Sequence, residues 1–241
     1  MSTENVRGLI IKETMSGEAD KYITVLTEGA GKITLLARGA RKPKSKLMSA
    51  ASLFVYGDFF YFQGSGFKSL NSADILDGFY GLQTDYDRLV YASYVAEAAD
   101  KTGYDDTAEL LHLVLYTLTA LAKTRMNPAL IVCAFRFKLL DIMGFLNTET
   151  TCLNCGSGAD YFSPNEGGFV CAECAAGCAD AERVSIGFKR AFSHITGQDM
   201  KSMFSFNVSE SVFDELNRLS DRCIRLYIDS GFKTDKLINA L

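Results

Sequence analysis

The chain has 241 residues, 48% of them hydrophobic, with a formal net charge of −4. That content is enough to bury a sizeable core and excludes global disorder, and no apolar run reaches the roughly 18 to 20 residues a membrane span needs. Charge is segregated: residues 1–80 carry ten Lys/Arg against eight Asp/Glu, and the remainder carries fifteen against twenty-one.

The first third predicts strands. "VRGLIIKE", "KYITVLTE" and "KITLLARG" are short, β-branched and separated by Gly-containing turns, and "SLFVYGDFFYFQG" and "FKSLNSADIL" continue the pattern. Five such strands in so short a span predict a small closed barrel over residues 1–80. Phe54, Tyr56, Phe60 and Phe62 share one strand parity, and Phe59 and Tyr61 the other. Only one of these sets can face the core. "GAGKIT" is no phosphate loop, because the position of the first P-loop glycine is Leu26 and a strand follows. Between strands lies "RGARKPKSK", where Arg38, Arg41, Lys42, Lys44 and Lys46 fall within nine positions with no acid among them. A solvated loop would look the same. On a small barrel with surface aromatics, such a segment also suits single-stranded nucleic acid, charges following phosphates and rings stacking on bases. Lys21 and Lys32 are further candidates for phosphate contact.

From residue 81 the period becomes helical. "LQTDYDRLVYASYVAEAADKTG" places Leu82, Tyr86, Leu89, Val90 and Tyr94 at three- and four-residue steps. "DDTAELLHLVLYTLTALAK" has acids at its start and a lysine at its end, as the helix dipole favours. "NPALIVCAFRFKLLDIMG" offers Asn127 as cap, Pro128 in the first turn and Gly144 as stop. Further helices are predicted in "SIGFKRAFSHIT", "SESVFDELNRLSDRCIRLYIDSG" and "DKLINAL". The expected fold class is therefore α+β and multi-domain. A barrel is followed by an all-α domain over 81–241, with a cysteine-bearing insert at 150–180.

The insert holds Cys152-x-x-Cys155 and Cys171-x-x-Cys174, fifteen residues apart. This is the spacing of a four-thiolate zinc site. The stretch between, "GSGADYFSPNEGG", is polar and Gly-rich, so the metal is expected to supply its folding free energy, about 10 to 16 kcal/mol in small zinc peptides. Catalytic zinc needs an open position and a general base, and the two histidines, His112 and His194, stand in no such motif. A redox dithiol is the other alternative. Cys178 is a fifth candidate ligand, while Cys133 and Cys223 fall in helical patterns and read as core. The N-terminus, "MSTENVRG", lacks a basic-then-apolar signal, so a reducing cytoplasm is expected, where paired cysteines favour metal over disulfide.

The strings "GLIIKE", "EADKYITVLTEGAGKITLLARGARKPKSKL" and "FRFKLLDIMGF" leading into "CLNCG", with the paired cysteines, resemble the RecO family of bacterial DNA-repair and recombination mediators across essentially the whole chain. The resemblance implies an OB-fold N-terminal domain, a helical domain carrying one structural zinc ion, and no catalytic residues. It implies binding to single- and double-stranded DNA, annealing of complementary strands, contact with the single-stranded-DNA-binding protein, and action with RecR to load RecA. The expected location is cytoplasmic and nucleoid-associated. That DNA-coating protein ends in an acidic tail with a terminal hydrophobic residue. Arg136 and Lys138, which interrupt an apolar helix, are the candidates to receive it. A zinc-ribbon module of transcription or translation and a thiol redox protein are the competing classes.

Overall fold

The computed structural model describes residues 3–64, 66–103 and 107–241. They form two compact units, residues 1–118 and 119–241.

In the first unit β1 (Thr3–Ser16), β2 (Asp20–Thr27), β3 (Lys32–Ala37), β4 (Tyr56–Gln63) and β5 (Lys68–Asp77) close into a barrel of order β1-β2-β3-β5-β4. All pairings are antiparallel except β3 with β5, where Leu35 partners Lys68. One short helix, α1 (Leu47–Ala50), lies between β3 and β4. This order agrees with the OB-fold expectation. Closure depends on β1, whose first half pairs with β4 and second half with β2, with a bulge between Ile10 and Lys12. Gly8 and Gly57 partner each other where the strands crowd. A Cβ would come within 2.4 Å of the Leu26 carbonyl oxygen at Gly8, and within 2.3 Å of the Asp74 carbonyl oxygen at Gly57.

Alternation decides which aromatics fill the barrel. Phe59 and Tyr61 point inward to Ile10, Ile23, Val25, Ile33, Leu35 and Leu70, while Tyr56, Phe60 and Phe62 lie on the outer side. Phe54 departs from its parity set. It precedes β4 with φ of +68° and is buried, its N–H donating to the Ile10 carbonyl.

After a 3₁₀ turn at Tyr80–Thr84, α2 (Tyr86–Lys101) begins at Asp85, whose carboxylate accepts from the Arg88 N–H. Val90 and Tyr94 are buried, whereas Tyr86 is exposed at the helix start. The next helix, α3 (Thr107–Lys123), contains the boundary between units. The acids expected at its start, Asp105 and Asp106, lie outside the described residues.

In the second unit α4 (Pro128–Ile142) is capped by Asn127 and halted at Gly144, with φ of +74°. It is buried on nearly every side, which is why its sequence is apolar without a clean polar face. The cysteine-bearing segment supplies β6 (Tyr161–Ser163), β7 (Gly168–Val170), the single-turn α5 (Ala172–Ala175) and β8 (Glu182–Arg183), forming a sheet of order β7-β6-β8. Then follow α6 (Ile186–Gly197), the amphipathic α7 (Glu210–Tyr227) and the short α8 (Asp235–Ile238). Helices α4, α6 and α7 pack against one another.

One expectation is corrected here. The segment between the cysteine pairs does contribute to a core. Phe162 and Phe169 are fully buried, in edge-to-face contact with each other and with Phe188 of α6; Phe162 also meets Phe137 of α4 edge-to-face and Phe192 of α6 at a tilt, and Phe169 meets Phe192 edge-to-face. Aromatic pairs in this geometry add roughly 0.5–1.5 kcal/mol each beyond burial.

Candidate nucleic-acid interface and metal centre

Cys152, Cys155, Cys171 and Cys174 bring their sulfurs within 4.8 Å of one another. Two loops place them. Behind Cys152 the chain turns back through Gly156, whose φ is +74° and whose N–H donates to the Cys152 carbonyl, and the Leu153 N–H bonds to Phe169 on β7. Cys171 caps α5, its sulfur accepting from the Cys174 N–H at 3.5 Å. Cys155 and Cys171 sulfurs stand 3.7 Å apart, and Cys174 and Cys155 sulfurs 4.0 Å apart. A tetrahedron of sulfurs about 2.3 Å from a zinc ion has edges of roughly 3.8 Å, whereas a disulfide needs about 2.05 Å. The four residues therefore fit a metal ion, with a geometry compatible with zinc.

Electrostatics agree with that geometry. Backbone N–H groups, the Cys171 N–H foremost, hold the Cys152 thiol down at about 6, and the Cys174 N–H lowers Cys171 in the same way. The neighbouring sulfurs push Cys174 up to about 12. Four thiolates this close are mutually repulsive unless a cation sits among them. Cys178 stands outside the cluster and donates to the Cys174 carbonyl. Cys133 and Cys223 are buried in helices, their thiols pushed up by burial to about 11 and about 12. His112 is exposed, and His194 packs against Phe206.

On the barrel, Arg38, Arg41, Lys42, Lys44 and Lys46 are all exposed, and none forms an ion pair among the described residues. Arg41 is anchored to the β1–β2 turn. Its backbone N–H donates to the Ala19 carbonyl, and its guanidinium donates to the Gly17 carbonyl at 3.1 Å. Lys44 holds φ of +68°, within a loop fixed by bonds from Lys42 N–H to Gly39 and Ser45 N–H to Lys42. A charged loop is thereby displayed beside the β1–β2 turn.

Lys21 and Lys32, the further candidates for phosphate contact, each have partners within the unit. Lys21 pairs with Glu13 at 2.8 Å and its side chain is only 12% exposed. Lys32 donates three hydrogen bonds, to the carbonyls of Ala99, Asp100 and Thr102 at 3.0, 2.6 and 2.7 Å. It caps the C-terminus of α2, where the helix leaves carbonyls without partners. Arg136 and Lys138 have internal partners too. Arg136 is 4% exposed, paired with Asp221 at 3.3 Å and bonded to Asn217. Lys138 is held by Asp141 and the Thr196 carbonyl. Each satisfies acceptors from its own unit.

The architecture defines a class: a small closed barrel with an unpaired cationic loop, followed by a helical unit built around a four-cysteine centre. Residues 1–79 match the family model "Recombination protein O N terminal" and residues 83–236 match "Recombination protein O C terminal". Similar proteins include a DNA repair protein RecO from Acetivibrio thermocellus, 36% identical over 97% of this chain and 95% of the relative. Others are one from a Thermoanaerobacter species, 26% identical over 97% and 96%, and one from Bacillus cereus, 29% identical over 94% of each. The chain belongs to the RecO family of bacterial DNA repair proteins.

Proposed function

We propose that the chain is a non-enzymatic recombination mediator. It binds single- and double-stranded DNA through its barrel, anneals complementary strands, and with RecR helps load RecA onto DNA coated by the single-stranded-DNA-binding protein. The observation that carries this reading is the loop with Arg38, Arg41, Lys42, Lys44 and Lys46, whose charges have no ion-pair partner among the described residues. Cations left without an anionic partner suit phosphates, and flexible lysines read charge rather than base edges. One zinc ion held by the four cysteines serves as a strut, since four thiolates complete a tetrahedron and leave no position for a substrate. Contact with the tail of the DNA-coating protein belongs to the same reading. No helix among the described residues is long and apolar enough to cross a membrane, in keeping with work at the nucleoid in the cytoplasm.

The test is annealing of complementary oligonucleotides coated with the single-stranded-DNA-binding protein. The chain should accelerate duplex formation with no nucleotide added. Binding to DNA without acceleration would favour a zinc-ribbon interaction module instead.

A further inference from the structure

The β4–β5 turn and the adjoining end of β3 border an open surface cleft of about 500 Å3. Its walls include Lys32, Thr34, Gln63, Gly64, Phe67 and Lys68. Ala30, Ile33 and Phe67 are the apolar residues of its lining, the rest being polar or glycine. Phe67 remains 47% exposed, and the Arg38 guanidinium lies 5.2 Å from its ring centroid. The Lys68 ammonium lies 5.4 Å from the Tyr61 ring. The turn is closed by the Gly64 N–H donating to the Phe67 carbonyl at 3.1 Å, and a Cβ at Gly64 would come within 2.9 Å of that oxygen. The ring's position is thus set by backbone as well as by Arg38.

An exposed ring at the lip of a polar cleft needs a flat apolar partner, and a guanidinium beside it needs an anion. One unpaired nucleotide offers both, a base with free π-faces and a phosphate at either side. A duplex offers only the phosphates, because its base faces are already stacked. We propose that this cleft holds one unpaired base of a single strand on Phe67, with Arg38 and Lys68 at the flanking phosphates, and that it makes the barrel favour single strands over duplex. The inference rests on the DNA-binding reading above and names the part of the surface that reads strandedness.

The experiment uses the full chain and three probes: a thymine homopolymer of about 16 nucleotides, the upper site size of one such barrel, its duplex with adenine homopolymer, and an abasic strand of the same length. Phe67→Ala should weaken thymine binding about thirtyfold, the middle of what one stacked base contributes. Binding to the duplex and to the abasic strand should be unchanged, as should the salt slope, since no phosphate contact is lost. Phe67→Trp should restore thymine binding. The chain has no tryptophan of its own, so this indole is the sole reporter, and the thymine strand should quench it while the abasic strand does not. Equal losses on all three probes, or an indole unaffected by thymine, overturn the proposal. If Phe67→Ala binds as the parent does while charge reversal at Arg41 and Lys42 weakens binding, the cleft is wrong and the DNA-binding reading stands. If neither change matters, both fall.

Discussion

The barrel and the cysteine-bearing segment both order a stretch of chain without long helices, yet they do it by opposite means. The barrel satisfies its own backbone through strands of six to fourteen residues that close on themselves, around a core drawn from every strand. The segment has strands of two and three residues, too short to hold alone, and depends on four clustered sulfurs and two rings lent to the helices. The same contrast governs charge. In the second unit, many cations are paired with acids: Arg218 and Arg222 with Glu182, Arg225 with Asp221 and Asp235, Lys189 with Asp160, and Arg136 with Asp221. On the barrel's 38–46 loop none is paired with an acid among the described residues. A cation is legible as a binding group only once its internal partners are known.

The largest effect should come from the sulfur centre. Cys152→Ser, or removal of metal by a chelator, takes away a contribution on the order of 10 kcal/mol. Hydrogen exchange should then lose protection across Cys152–Arg183 and the α4–α6 core while β1–β5 keep theirs, and metal analysis should fall from one equivalent to none. Equal loss in the barrel would break the comparison. Next comes Phe162→Ala, which opens a cavity in the aromatic cluster and should cost about 3–5 kcal/mol in denaturant unfolding, even with the metal centre intact. A cost below 1 kcal/mol would mean that the sulfurs alone hold the segment.

Lys32→Met should be milder. It leaves three carbonyls at the end of α2 without their donor, an expected cost of about 1–3 kcal/mol in thermal or denaturant unfolding, with the salt dependence of DNA binding unaltered. A lower salt slope would return Lys32 to the DNA surface.

Much of this was legible in the sequence. Short β-branched runs between Gly-containing turns marked the five strands, and the paired Cys-x-x-Cys spacing marked the sulfur cluster, because both are local patterns. The failures share one cause. The partners of Lys32 lie some seventy residues onward, at Ala99–Thr102, and Asp221 faces Arg136 from a different helix. Neither pairing leaves a mark on the neighbouring residues, so each cation read as surface. Phe162 and Phe169 sit in strands too short for any period to show, among glycines that suggest loop. The inner and outer aromatics of β4 became distinguishable only when closure fixed which parity faces Ile10 and Ile23.

The most direct test of the account is the salt dependence of single-strand binding by the double variant Arg41→Glu, Lys42→Glu. These side chains are exposed and outside the core, so stability should stay within about 0.5 kcal/mol of the parent. Two lost phosphate contacts should lower the log–log slope of affinity against salt by about 1.4, alike for every sequence tried. An unchanged affinity and slope would contradict the assignment of the 38–46 loop as the surface that meets DNA.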